Sequence, residues 1–324
     1  PPPPPPPPPP PRLDSSAASD VYKRQGYDGI FIQGVSSKPV YLRVAEGKAE
    51  LVDATKLWGL DTVATEQRIK EESEKGDVLV ACIGPSGERL SLISGVVTDG
   101  ARIAARSGMG AVMGSKRLKA VALSGRAKIE AHDPEAVKEL SKDFSQWVKE
   151  GEKGARWMTS GVTRILSRFM RISPVGFGGS GDMIRSVMRN FGTIVTNVIS
   201  AETGDSPVKN WKGTGYRDFP ISTHSRKLEP ARILAPPQKR YHCYSCPIGC
   251  GGILDLSGKT RYPLSETHKP EYETCSAFGS LILNNDLDAV YMINDMLNRA
   301  GMDTISAGSA VAFAMECVEQ GILS

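Results

Sequence analysis

Three cysteines stand close together in the run YHCYSCPIGC, from Tyr241 to Cys250: Cys243, Cys246 and Cys250. A C-x2-C-x3-C spacing lets three thiolates converge on one inorganic centre. Both a [4Fe–4S] cluster and a tetrahedral zinc ion take four ligands of this kind. As a zinc clip, the set would take His242 or His268 as its fourth member. Zinc motifs come as two ligand pairs across a longer spacer, whereas this is a triplet with Pro247 directly after its second cysteine, so the spacing favours an iron–sulfur cluster. The gaps also run in the opposite order to those of radical enzymes that use S-adenosylmethionine. No fourth cysteine lies nearby. Cys275 and Cys317 sit in apolar helical contexts and read as core thiols.

A second stretch, ARSGMGAVMGSK over Ala105–Lys116, could meet an anion. Gly108, Gly110 and Gly114 permit close backbone approach, and Arg102, Arg106, Lys116 and Arg117 bring positive charge. It is not a phosphate-binding P-loop, because three residues rather than four separate Gly110 from Gly114 and Ser-Lys follows. Nor does it keep the dinucleotide-binding glycine spacing. Residue types alone leave two readings open: an anionic-cofactor contact and a tight packing contact.

The elements that must position these residues fall into two textures. Strand-length apolar runs occupy Gly29–Gly34, Val40–Val44 and Ala49–Val52, with a turn at Glu46-Gly47. A charged helix is predicted over Asp61–Lys75. Further strands are predicted over Asp77–Ile83, Leu90–Val97 and Leu118–Ser124. From Asp133-Pro134, an oxygen cap followed by proline, the pattern turns helical to about Glu150. Residues 172–240 are rich in Gly, Pro and Ser and give no clear assignment. Two helices close the chain, Asp286–Ala300, with Asn285 as cap and Gly301 as left-handed terminator, and Ser306–Gln320. The expected architecture is α+β: a β-rich first domain over 26–130 and a mainly helical second domain over 131–324. The polyproline run and polar segment at 1–25 read as a non-native or disordered leader. Both ends of the chain read as truncated.

Length and composition agree with about two domains at ~100–200 residues each. The formal net charge is +4, from 40 basic and 36 acidic residues, with no dense basic stripe of the kind that binds nucleic acid. No apolar run approaches the ~18–20 residues of a membrane span, and no secretory signal begins the chain. Six cysteines without a disulfide pattern predict a reducing, cytoplasmic setting.

The glycine stretch, the cysteine triplet and a downstream KPEYET follow one another in a fixed order that resembles the tungsten-containing aldehyde ferredoxin oxidoreductase family. GYDGIFIQG, LVDATKLWG, VACIGPSGE, GMGAVMGSKRLKAVALSG, SPVKNW and NRAGMDTISAG carry the resemblance from Gly26 to Ser324. It implies a bis-pterin tungsten or molybdenum cofactor, with Mg2+ bridging the pterin phosphates, beside one [4Fe–4S] cluster. It also implies a first domain of twisted β-sheets serving as a base for the cofactor. Cys243, Cys246 and Cys250 would be three cluster ligands, the fourth lying beyond Ser324. Arg106, Gly108 and Gly110 would contact pterin. So would Asn298, Gly301, Met302 and Asp303, although Asn298 stands where the family has Asp and Met302 where it has Leu. Glu273 would be the acidic residue near the metal, a buried carboxylate of raised pKa, with Glu271 as alternative and His268 as a proton donor.

The implied reaction oxidises an aldehyde to a carboxylic acid, with electrons passing through the cluster to ferredoxin or another electron-transfer protein. The assembly would be a homo-oligomer or a subunit of a complex, and this polypeptide alone would be inactive. A relative of the same lineage, the active-site subunit of a benzoyl-CoA reductase, gives an alternative reaction. A non-catalytic zinc or iron–sulfur module is the alternative of a different class.

Overall fold

A computed structural model describes residues 29–73, 78–98, 100–125, 131–151, 160–173, 180–243 and 246–324; the leader expected at 1–25 lies outside them. The fold is α+β, as expected. Six strands form one mixed sheet in the order β2-β1-β6-β3-β4-β5. They are β1 (Val40–Ala45), β2 (Lys48–Asp53), β3 (Leu79–Cys82), β4 (Val96–Thr98), β5 (Arg102–Ala104) and β6 (Leu118–Ser124). β1 pairs with β6 in parallel, and the other pairings are antiparallel. Glu46 and Gly47 both take left-handed φ, at 52° and 73°, the geometry of a two-residue hairpin turn whose twist matches its strands.

β6 explains why the sheet is the core of this half. Its alternating Ala120 and Ala122 pack with Tyr41, Leu57, Ile69 and Val80 on one face. Leu118, Val121 and Leu123 pack with Val40 and Val44 on the other. A shift of register at Val40/Tyr41 accommodates Lys119, which lies near the start of β6 and is fully buried. Its ammonium donates to Leu60 O at 2.8 Å and pairs with Glu88 at 2.5 Å.

Two strand expectations are corrected. Gly29–Gly34 is irregular and Phe31 is exposed, because β2 and β6 already occupy both edges of β1. Leu90–Val97 is a strand only from Val96. Before it, a short helix at Pro85–Glu88 and a turn at Leu90 lead into residues whose backbone pairs with 301–303 instead.

The second half is mainly helical. Helices run over Pro134–Gly151, Ser160–Ile172, Gly181–Asn190, Thr196–Thr203, Leu287–Ala300 and Thr304–Glu319. Asp286, not Asn285, caps the first of the last two; Asp303 caps the second through Ile305 N and Ser306 N. A small antiparallel sheet of β7 (Gln238–Tyr241), β8 (Gly251–Asp255) and β9 (Glu266–His268) interrupts the helices and brackets the cysteine loop. The main core of this half is built around Ile194, Phe219, Ile233, Leu254, Phe278 and Tyr291, with a smaller cluster at Val187 and Val195.

The halves meet without clearance. A Cβ on Gly84 would lie 2.2 Å from Ala300 O, and one on Gly301 would lie 2.7 Å from Gly84 N. Ser86 Oγ donates to Ala300 O and Gly301 O, Gly95 N donates to Gly301 O, and Asp303 N donates to Ile93 O. Thr62 Oγ1 donates to Asn298 O, and Arg299 reaches Asp61. The C-terminus of one helix is therefore plugged into the first half's glycine turn.

Candidate functional site

The cysteine loop leaves β7 at Tyr241 and returns as β8 at Gly251. Cys243 is exposed, Cys246 and Cys250 are half-buried, and Cys246 N donates to Cys243 O at 3.0 Å. Gly249 takes a left-handed φ of 59°, and a Cβ there would strike the His242 ring. That ring in turn holds Cys246 O through Nδ1 at 2.9 Å. Burial raises the pKa of the Cys250 thiol; Glu271 and the other two cysteines add to the rise, and Lys269 opposes it. Among the described residues no three His, Cys, Asp or Glu side chains are grouped to bind a single metal ion. A closed zinc site needs such a group. A [4Fe–4S] cluster takes one thiolate at each iron.

Cationic groups surround the loop. Arg102, on β5 of the first half, donates to His242 O at 2.5 Å and lies 4.6 Å from the centre of the Tyr241 ring. Arg189 donates to Pro247 O and Ile248 O, both at 2.9 Å. Lys269 is buried, with its ammonium 3.4 Å from the Glu271 carboxylate. Tyr241 OH and His268 Nδ1 are 2.9 Å apart. Burial, with Arg102 adding, lowers His268 to about 4, so its imidazole is neutral at pH 7. Burial pushes Tyr241 up to about 12.

His268 also lines a cleft of about 650 Å³ between the halves, with Glu66, Gly100 and Ala101 on one side and Asn298 and Arg299 on the other. The structure thus brings His268, Asn298 and the thiol loop's tyrosine to one region. Glu273 stands apart from the buried carboxylate expected there: it is exposed in the first turn of Tyr272–Ala277. Glu273 lies on the solvent side of that short helix, whose buried side is filled by Thr274, Cys275, Ser276 and Ala277.

The glycine stretch divides between its two readings. Gly110 and Gly114 are spent on packing, since added Cβ atoms would lie 2.7 Å from Gly95 O and 2.0 Å from Gly87 O. Gly108 takes a left-handed φ of 67° and is itself buried, an added Cβ lying 3.0 Å from Leu92 O, so of Arg106, Gly108 and Gly110 only Arg106 is exposed. At the other stretch, Asn298 O, Ala300 O and Gly301 O accept bonds from the first half, and the Asp303 carboxylate caps its own helix. Met302 bridges to Ser94. Cys275 and Cys317 are buried core thiols.

Sequence reading passed over Lys269, Arg189 and Tyr241 as site residues. Only Lys269 had a local signal: it is two residues from Thr267 in the strand alternation, on the face that is buried.

Comparison with known proteins accounts for both halves. The family described as aldehyde ferredoxin oxidoreductase, N-terminal domain, matches residues 15–125, and that described as aldehyde ferredoxin oxidoreductase, domains 2 & 3, matches residues 180–324. A tungsten-containing aldehyde ferredoxin oxidoreductase of Pyrococcus furiosus is 35% identical over 299 residues, covering 92% of this chain and 43% of the relative. Its counterpart from Thermococcus kodakarensis is 33% identical over 302 residues, covering 93% and 43%. Among solved structures, the active site complex BamBC of benzoyl coenzyme A reductase in complex with 1,5 dienoyl-CoA matches with a TM-score of 0.70 and 26% identity, over 94% of this chain and 42% of that one.

These relatives are oxidoreductases, and the likeness extends over the sheet, the seam and the thiol loop together. The chain belongs to the aldehyde ferredoxin oxidoreductase family, and it spans less than half the length of the relatives it matches.

Proposed function

We propose that this chain forms the cofactor base and the cluster loop of a tungsten-containing oxidoreductase that oxidises an aldehyde to a carboxylic acid. The observation that carries this reading is the reach of Arg102, from the sheet of the first half, onto the loop that bears the three thiols. One cationic side chain thereby fixes the cluster loop against the domain that the family resemblance makes the cofactor base.

The fit is good at the loop. Cys243, Cys246 and Cys250 supply thiolates, and Arg102, Arg189 and Lys269 supply the positive surroundings that an anionic cluster requires. A bound tungstopterin or molybdopterin and its [4Fe–4S] partner supply the redox chemistry and the electron path; the protein supplies position, charge and dryness. Arg106 and the cleft face of Asn298 and Arg299 are the groups left to meet a pterin or its Mg2+-linked phosphates. His268, neutral and tethered by Tyr241, holds a ring nitrogen available for proton exchange at the cleft. Glu273, with Glu271 as alternative, serves as carboxylate base only where a further segment covers it from water. Ferredoxin or another electron-transfer protein is the proposed acceptor, in the cytoplasm.

Anaerobic purification of the full-length protein tests this reading. It predicts tungsten or molybdenum together with about four irons, and aldehyde-dependent reduction of a viologen dye. Cys243→Ser is expected to lower the iron content and abolish the low-temperature paramagnetic signal of the reduced protein. Zinc as the sole metal refutes the reading. The likeness to the benzoyl-CoA reductase complex favours a second reading, an active-site subunit acting on an aromatic acyl-CoA. Turnover of a dienoyl-CoA with no aldehyde activity would select it.

A further inference from the structure

Lys269 is an unusual residue to bury. Its side chain is 2% exposed, and its backbone N–H extends the β8–β9 ladder by donating to Gly252 O at 2.7 Å. The ammonium carries three donors. It donates to Phe191 O at 3.2 Å and lies 3.4 Å from the Glu271 carboxylate, which is 44% exposed and also accepts from Thr193 Oγ1. A half-solvated carboxylate and one carbonyl are weak compensation for a desolvated cation. Gly192 closes the space in front of it: at φ 69°, an added Cβ would lie 2.4 Å from Lys269 Nζ, 3.3 Å from Cys250 O and 3.5 Å from Cys250 Cβ. The ammonium and the last cysteine of the triplet therefore face one small volume that only a glycine leaves open.

We infer that Lys269 is a positioning residue for the inorganic cluster: its fixed ammonium, paired with Glu271 and confined by Gly192, seats Cys250 and raises the cluster's reduction potential. This rests on the reading that the three thiols hold an iron–sulfur cluster. The sign follows from charge. Reduction adds one electron to an already anionic, thiolate-ligated cluster, and a nearby cation stabilises the reduced form more than the oxidised form. Removing the lysine also leaves the Glu271 charge unopposed, which acts in the same direction. Removing the Glu271 charge acts in the opposite direction.

The test uses anaerobically purified full-length holoprotein in wild-type, Lys269→Met and Glu271→Gln forms. Iron content is measured, and the reduced-cluster paramagnetic signal is followed through a dithionite titration with redox mediators. K269M is expected to lower the midpoint potential enough to change the reduced-to-oxidised ratio at fixed potential at least tenfold, about 59 mV for one electron. E271Q is expected to move it upward. Shifts of the same sign in both variants, or unchanged potentials with the cluster retained, overturn the inference. Should K269M fail to assemble its cluster, an unchanged potential in E271Q overturns it alone. Wild-type protein without iron refutes the cluster reading itself, which separates that failure from failure of the lysine's role.

Discussion

The pair Lys119–Glu88 offers a test of the sheet that carries the site. Lys119 has no exposed side-chain surface and Glu88 only 6%, with Nζ 2.5 Å from the carboxylate. At that separation and an effective dielectric of about 20, the attraction is about 7 kcal/mol. Desolvation of several kcal/mol for each ion offsets most of it, so the intact pair contributes little net stability. Breaking it is another matter. Lys119→Met leaves a carboxylate in the interior with, among the described residues, only Gly59 N as donor, at 3.0 and 2.9 Å to its two oxygens. The expected loss is about 3–5 kcal/mol. Lys119→Met with Glu88→Gln removes both charges yet keeps an oxygen for Gly59, so the double variant should be more stable than K119M alone. Urea midpoints for the four proteins of this cycle, followed by circular dichroism with unchanged slopes, measure the coupling. A K119M protein within about 1 kcal/mol of wild type, or a double variant no better than K119M, would show that the pair is not desolvated and that β6 is not the central strand described.

Other substitutions probe the seam and the site. Gly84→Ala places a methyl group 2.2 Å from Ala300 O; it should cost roughly 1–3 kcal/mol and accelerate hydrogen exchange at Gly95 and Asp303, whose amides bond across the seam. Asp303→Ala removes the cap of Thr304–Glu319 and should cost about 0.5–2 kcal/mol in thermal or urea unfolding. His268 is lowered from 6.5 to about 4 in the folded chain. The unfolded chain therefore binds the extra proton between those values. Stability from this group is full above pH 6.5 and falls on acidification, by up to about 3 kcal/mol below pH 4. His268→Gln should flatten that part of the stability–pH curve.

Local rules reached those elements whose stability is itself local. Asp133-Pro134 opens a helix, Gly301 closes one in the left-handed conformation at φ 71°, and Glu46-Gly47 turns a hairpin, all within one or two residues of expectation. β6 was legible because both its faces are apolar and buried. Gly29–Gly34 departs from its strand pattern because an apolar run becomes a strand only where a partner edge is vacant, and pairing is a property of the whole sheet. The thiol triplet stands out by its spacing alone, while its cationic surroundings do not: Arg102 is 141 positions from Cys243, and no local pattern links them.

Among the described residues, two buried lysines, Lys119 and Lys269, make the physical reason explicit. Lysine is among the residues least often buried, so sequence reading assigns each one to solvent by default. Lys119 escapes that default through the carboxylate of Glu88, at the end of the short helix Pro85–Glu88. Lys269 does so beside Cys250, with one half-exposed carboxylate and one carbonyl in reach. The first is a neutralised pair whose energetics close within the sheet. The second has weaker compensation in the chain itself, and this asymmetry directs attention to the thiol loop: of the two cations, only the one whose protein partners leave it under-compensated stands where an anionic group would complete it.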